Sequence, residues 1–304
     1  MTTSSVPAGD AMASTGSPCA LSVVTAVRNG EPYMRDQLEA LAAQVCSFPW
    51  ELVVVDNGST DSTAAIAESF AGRIPGLRVL SEPTTPRDRE ARAFALNAGV
   101  QAARGAKVVF VDHDDVVAPG YLQAMADGLD RLEMVSGNVD TDRLNPPWAR
   151  EKLLPLDRLN VFLGFLPYIP GSLLGVRATV FQRIGLFATD RPFGSDVDFV
   201  WRAQLSGIKA DLAPGAVLHY RRAATVKGNF GKARLYARTQ VCLYAQYRRL
   251  GQRRRPWREV ASQLRRMVAT AARHRPHWLW SFAYDVGDLL GHLEQSVREG
   301  VWYI

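Results

Sequence analysis

The chain contains no run of about 18 apolar residues, so it offers no segment able to span a bilayer as a helix. Cysteine is scarce. Cys19, Cys46 and Cys242 are odd in number, far apart and without CxxC spacing, which fits reduced thiols in a cytosolic protein better than a disulfide framework. No GxGxxG follows a strand-like run, and this disfavours a dinucleotide-dependent dehydrogenase. Helix-turn-helix, RNP and zinc-finger spacings are also missing, so nucleic acid is not an expected partner. The opening stretch, MTTSSVPAGDAMASTGSPCA, has neither a basic n-region nor an apolar h-region. Residues 1–19 therefore read as a disordered leader and not as a signal peptide. There is no internal repeat.

What is present suits one large α/β domain with an appendage: 304 residues, 47% of them apolar. The net charge of +6 is unevenly placed, with ten arginines and no lysine between Arg248 and Arg275. Such a run is either a solvated helical face or a footprint for an anionic lipid surface. The second reading predicts a cytoplasmic protein held peripherally at the inner face of the membrane.

Up to Asp115 the chain alternates. LSVVTAV, ELVVVD, LRVLSE and KVVFVD read as strands, and YMRDQLEALAAQ, STAAIAESFA and REARAFALNAGVQAA between them as helices. This pattern predicts βαβ crossovers and a mostly parallel, Rossmann-like sheet with helices on both faces. Beyond it come a helix (YLQAMADGLDRL), a strand (MVSGNVD), a Pro-rich loop over 140–170, a strand and short helix (SLLGVRATVFQRIG), a helix (SDVDFVWRAQLSG) and a last strand (AVLHYRR). The expected division is a nucleotide-binding half at 20–115, an acceptor half at 116–222 and a basic helical segment at 223–304, with a break at QRRRPW.

The most informative stretch is VVFVDHDDVV. Four apolar residues form a strand buried on both faces, and it ends in Asp112, His113, Asp114 and Asp115. Like charges this crowded disfavour their own ionisation, and a divalent cation would resolve the repulsion. In parallel sheets ligands bind outside the carboxyl ends of the strands, so Asp56 and the 112–115 cluster should face one crevice.

Taken in order, VRNGEPYMRDQLEAL, ELVVVDNGSTDST, LNAGVQAARGAKVVFVDHDD, GSLLGVRATVFQRIGLF, SDVDFVWRAQLSG and AVLHYRR resemble the family 2 glycosyltransferases over roughly residues 20–222. The resemblance implies a GT-A fold and an inverting, metal-dependent transfer from a nucleotide-diphosphate sugar to an acceptor hydroxyl. Asp112 and Asp114 match the family's DxD motif and are assigned to the ribose and to Mn²⁺ or Mg²⁺, with Asp114 the direct ligand. Asp56 matches the acid that bonds the nucleotide base, and this favours UDP or dTDP. Thr25, Val27 and Arg28 would line the base pocket. Asp196 corresponds to the general base and His219 to a metal-ligating histidine, and the acceptor is lipid-linked or a glycoconjugate.

Structural readings stand beside these. Asp56 would also suit an Asx-turn, Asp61 a helix N-cap, and Asp115 either the cap of the next helix or a group that orients the other acids. Ser195 and Asp198 resemble a capping box. Asp196 would also suit the positive end of a helix dipole, and His219 a histidine satisfied by the backbone. No role falls to His113. Two departures from the family pattern matter. Ala95-Leu96-Asn97 stands where an arginine facing the diphosphate is expected, leaving Arg87, Arg89 or Arg92 as substitutes, and Ser195 stands where an acid often precedes the base. Two other functions remain open on sequence. FVDHDDVV comes near the DxDx[TV] pattern of haloacid-dehalogenase-like phosphatases, and a sugar-nucleotide-binding partner protein without catalysis would need the same acids.

Overall fold

The computed structural model describes residues 19–82, 91–150, 157–190, 193–223, 225–273 and 277–303. The leader, Arg87, Arg89 and part of the Pro-rich loop lie outside the described residues.

β-Branched residues dominate β1 (Leu21–Val27) and β2 (Trp50–Asp56), and β2 is buried along its whole length. A strand without a polar face belongs inside a sheet covered on both sides. Accordingly β1 pairs in parallel with β2 on one side and with β4 (Lys107–Phe110) on the other, and β3 (Arg78–Ser81) continues the sheet beyond β2. The linking helices are α1 (Met34–Ala42), α2 (Thr63–Glu68) and α3 (Ala91–Ala102). Register brings Val27 beside Asp56, so the first two strands deliver their ends to one place. At the opposite end Glu51 is buried and accepts from Ser22 Oγ at 2.6 Å, Arg104 N at 2.7 Å and Arg78 Nη2 at 2.8 Å. A buried carboxylate with this many donors ties three segments of the sheet together.

The second half joins the same sheet. Strand β5 (Val116–Val117) and helix α4 (Tyr121–Arg131) lead to β6 (Met134–Asp140), and a small hairpin forms from β7 (Val161–Phe162) and β8 (Leu166–Pro167). Next come β9 (Leu174–Arg177), α5 (Ala178–Ile184), α6 (Ser195–Leu205) and β10 (Ala210–His219). The eight-stranded order is β3-β2-β1-β4-β9-β6-β10-β5. Most pairings are parallel, but β9 runs antiparallel to both β4 and β6, and β5 antiparallel to β10. The expected mostly parallel sheet is therefore present, with the antiparallel strands as additions to it. The antiparallel insertion of β9 puts its preceding turn, Gly171–Leu173, beside the carboxyl end of β4.

The C-terminal residues form α7 (Val226–Tyr247), α8 (Trp257–Arg273) and α9 (Trp278–Glu299), with the expected break before Trp257. They do not hang apart from the rest. Asp198 of α6, 1% exposed, accepts from Tyr247 Oη at 2.7 Å and from Gln246 Nε2 at 3.0 Å, both on α7. Its other oxygen accepts from Arg202 Nε at 2.8 Å. The capping box expected of Ser195 and Asp198 is thus replaced: Gly194 is the N-cap, and the Asp198 carboxylate anchors α7 instead.

Helices α7 and α9 pack so closely that a Cβ added at Gly287 or Gly291 would collide with the Phe230 or Arg234 carbonyl oxygen. Only glycine permits this approach, and backbone atoms cannot swing aside as side chains do. Gly291→Ala should therefore lower stability by about 1–3 kcal/mol. A urea unfolding midpoint equal to that of the parent chain would show that the two helices can separate without cost.

Candidate active site

Four carboxylates gather at the carboxyl end of the sheet. Beyond β4, the Val111 N–H still bonds Val24 O, at 3.2 Å, and the chain then turns through Asp112–Asp115 into β5. Gln37 of α1, 1% exposed, clamps this turn: Nε2 donates to Asp112 O at 3.1 Å and Oε1 accepts from Val117 N at 3.0 Å. Arg221 clamps the other side, with Nε donating to Asp114 O at 2.8 Å and its backbone N donating to Asp115 Oδ1 at 2.8 Å. Asp115 is 1% exposed, and its Oδ2 has no partner. Burial pushes its carboxyl well above the ordinary range, and the neighbouring Asp112 and Asp114 charges push it further. Asp115 does not cap the next helix, because α4 begins after Gly120.

One oxygen from each of Asp112, Asp114 and Asp115 lies within 4.8 Å of the others. An all-oxygen donor set containing a buried, unpartnered carboxylate oxygen fits a hard divalent cation of the Mg²⁺ or Mn²⁺ type. The chain also supplies a cation that pairs directly with one of these acids. Arg92 of α3 donates from Nη2 to Asp112 Oδ1 at 2.6 Å. Burial disfavours the Asp112 charge, but the Arg92 guanidinium outweighs it and holds the carboxyl below the ordinary range. Arg92 is one of the three arginines that could substitute for the one missing from Ala95-Leu96-Asn97; the other two lie outside the described residues.

Asp196 meets the same guanidinium. A methyl built on Gly171 would lie 3.1 Å from Asp196 Oδ2 and 3.3 Å from both terminal nitrogens of Arg92. Asp196 Oδ2 accepts from the Gly171 N–H at 2.8 Å and Oδ1 from the Val197 N–H at 2.9 Å. The first turn of α6 and the turn before β9 thus fix this carboxylate near the guanidinium that pairs with Asp112. Asp56 is near the first two strand ends, 7% exposed, with Oδ1 accepting from Ser59 N at 3.1 Å in the Asx geometry. The Thr25 hydroxyl is committed to Val111 O at 3.0 Å, and the Val27 side chain lies in the core, while Arg28 is exposed at the rim. Asp61 supports the loop: its carboxylate accepts from Thr63 N at 3.1 Å and Glu31 N at 3.2 Å, one residue before the Ser62 N-cap.

His219 is differently engaged. Register pairs it with Asp140, and Nδ1 lies 2.6 Å from Asp140 Oδ2. Among the described residues, the gathered acids do not include it. Other residues at the site escaped the sequence reading. Lys232 of α7 bonds the Tyr220 phenol, and its ammonium lies 4.8 Å from the Tyr220 ring centre and 5.7 Å from that of Tyr236. Its charge helps lower the carboxyls of Asp112 and Asp115. Only the YRR that follows His219 hinted at Tyr220 and Arg221; nothing pointed to Lys232.

A family model described as Glycosyl transferase family 2 matches residues 22–185, more than half of the 304. The chain is 33% identical over 106 residues to the putative glycosyltransferase EpsH of Bacillus subtilis, covering 35% of this chain and 29% of that one. Matches to the first three curated relatives span 29% to 56% of their own lengths. Mannosyltransferase PcManGT from Pyrobaculum calidifontis, solved with GDP-Man and Mn²⁺, superposes with a TM-score of 0.60 at 18% identity, covering 92% of this chain and 89% of that one. S. aureus TarS 1-349, solved with UDP-GlcNAc, superposes with a TM-score of 0.53 at 19% identity, covering 94% and 93%. At these identities the solved structures speak for the fold alone. The fold, the six ordered motifs and the extent of the family match agree: this chain belongs to the family 2 glycosyltransferases and has the GT-A fold.

Proposed function

We propose that the chain transfers a sugar from a nucleotide-diphosphate donor to an acceptor hydroxyl, with inversion. The observation that carries this reading is Arg92, whose guanidinium pairs with Asp112 and lies near Asp196 beside Gly171. A donor-site acid and a candidate base are thereby gathered near one cation. Asp56 accepts from the nucleotide base through the oxygen that Ser59 leaves open, with Arg28 at the rim and Thr25 and Val27 shaping the pocket from behind. Asp112 accepts from the ribose. Asp114, with Asp112 and Asp115, holds a divalent ion, which would act as a Lewis acid on the departing diphosphate. That the neighbours were solved with UDP-GlcNAc and with GDP-Man and Mn²⁺ supports a nucleotide sugar and a metal, with UDP or dTDP favoured here by the Asp56 motif.

Asp196 takes the proton from the acceptor hydroxyl as that oxygen attacks the anomeric carbon. Its Gly171 and Val197 N–H bonds fix the carboxylate before substrate arrives, which is what a positioned base requires. Attack opposite the departing diphosphate in a single displacement inverts the anomeric centre.

The acceptor is taken to be lipid-linked or a glycoconjugate, and α8 supports a site at an anionic membrane. Trp257, Leu264 and Val268 share one helical face and are 69%, 48% and 71% exposed, with Arg258 and Arg265 beside them. No helix among the described residues is long and apolar enough to cross a membrane, so the contact would be peripheral.

Three measurements test this reading. Asp196→Asn should reduce kcat at least about a hundredfold, with nucleotide affinity nearly constant and stability changed by no more than about 1 kcal/mol. Weaker nucleotide binding at unchanged kcat would move Asp196 to the donor site and leave the base unidentified. Asp114→Ala should lose Mn²⁺ binding in calorimetry and release no UDP from a UDP-sugar, yet stay folded, because Arg221 holds only the backbone carbonyl of that residue. Full turnover of that variant in EDTA would rule out the metal role, and a wild-type chain that binds donor but never turns it over would favour the non-catalytic binder. Co-sedimentation with phosphatidylglycerol vesicles should fall steeply with salt and on Trp257→Ala. Binding indifferent to lipid charge and salt would dismiss the membrane contact.

A further inference from the structure

Four carboxylates (Asp112, Asp114, Asp115 and Asp196) gather at this end of the sheet, where Arg92 pairs with Asp112 and the Arg221 side chain bonds the Asp114 carbonyl. A divalent ion would offset part of that charge. A donor then adds a diphosphate, and breaking the glycosidic bond leaves one further negative charge on it. The family-matched segment, 22–185, contains Arg92 but no arginine in the Ala95-Leu96-Asn97 stretch. A further cation facing the diphosphate can come from another part of the chain.

Lys232 is placed to be that cation. It lies on α7, outside the matched segment, and its ammonium is boxed by two aromatic rings, Tyr220 and Tyr236. Tyr220 follows β10, with its backbone N–H bonded to Asp140 O at 2.8 Å, and Tyr236 packs on Phe193 with ring centres 5.2 Å apart. Both partners are therefore fixed by elements that frame the crevice. The box also adjoins the acids: Arg221, the residue after Tyr220, donates from its backbone N to Asp115 Oδ1 and from Nε to Asp114 O, both at 2.8 Å. The Tyr220 and Tyr236 phenols engage two of the three ammonium donors, and phenols leave the charge of the ammonium uncancelled. A lysine needed only to anchor α7 would be better neutralised by a carboxylate.

We propose that Lys232, held by Tyr220 and Tyr236, binds the diphosphate of the donor and stabilises its departure. This rests on the nucleotide-sugar reading above. It places one element of the donor site in the C-terminal segment.

The test is calorimetric titration of the full chain with Mn²⁺ and UDP, UMP or GDP. Lys232→Met should bind UDP at least about tenfold more weakly, since a hydrogen bond to a charged group is lost, while UMP affinity changes little. Lys232→Arg should recover most of the UDP affinity, and thermal unfolding should report both variants folded. Unchanged UDP binding by Lys232→Met, or equal losses for UDP and UMP, would overturn the proposal while leaving the donor reading intact. If Lys232→Met unfolds, Tyr236→Phe substitutes for it: it removes a phenol but keeps the ring, and a selective loss of UDP affinity supports the proposal where unchanged affinity overturns it. A wild-type chain that binds neither UDP nor GDP would overturn the donor reading, and this inference with it.

Discussion

Carboxylates crowded at the end of a buried strand cannot all be charged unless something opposite lies among them, and the rest of the site is arranged around that requirement. Arg92 answers it within the chain. Its bond to Asp112 is short, and the same guanidinium faces Asp196 across Gly171. Without it Asp112 would behave as Asp115 does, its carboxyl raised by burial and by its acidic neighbours. The Arg92 guanidinium is the largest favourable influence on Asp112, and Asp115, three residues on, has no such partner.

The sheet makes this meeting possible. Parallel strands bring β1, β2 and β4 to the same edge, and that supplies Asp56 and the 112–115 turn. Parallel pairing alone would not bring Asp196 there. The antiparallel strand β9, inserted between β4 and β6, begins at that same edge, so the Gly171 N–H in the turn before it can receive the Asp196 carboxylate. The residue must be small. A side chain at 171 would occupy the space where Arg92 and Asp196 approach each other.

Much of this was legible in the chain itself. Strands and helices follow from alternation and from apolar runs, and Asp112, Asp114, Asp56 and Asp196 follow from motif order. What sequence could not supply were the partners of each group, because these are set by register and by long-range packing. Ser195 and Asp198 have the spacing of a capping box, but α6 begins after Gly194, and burial against Tyr247 claims the Asp198 carboxylate. His219 has a metal ligand's identity, but the pairing of β6 with β10 seats it on Asp140. That Arg92 pairs with Asp112 depends on how α3 packs against the sheet, which no local pattern encodes.

The C-terminal helices complete the argument about where the site ends. Their basic composition and distance from the motifs read as an appendage, yet Tyr247 and Gln246 saturate one oxygen of a carboxylate at the start of α6, the helix that presents Asp196. A buried charge satisfied in this way is costly to expose, so α7 cannot move away without leaving Asp198 partly unpaired. The same helix carries Lys232, whose ammonium bonds the Tyr220 phenol one residue before Arg221. Gly287 and Gly291 then let α9 seat directly on the α7 backbone, which limits how far α7 can shift. The position of the candidate base therefore depends on packing that begins beyond residue 222, and the crevice is closed by the segment that looked least like part of it.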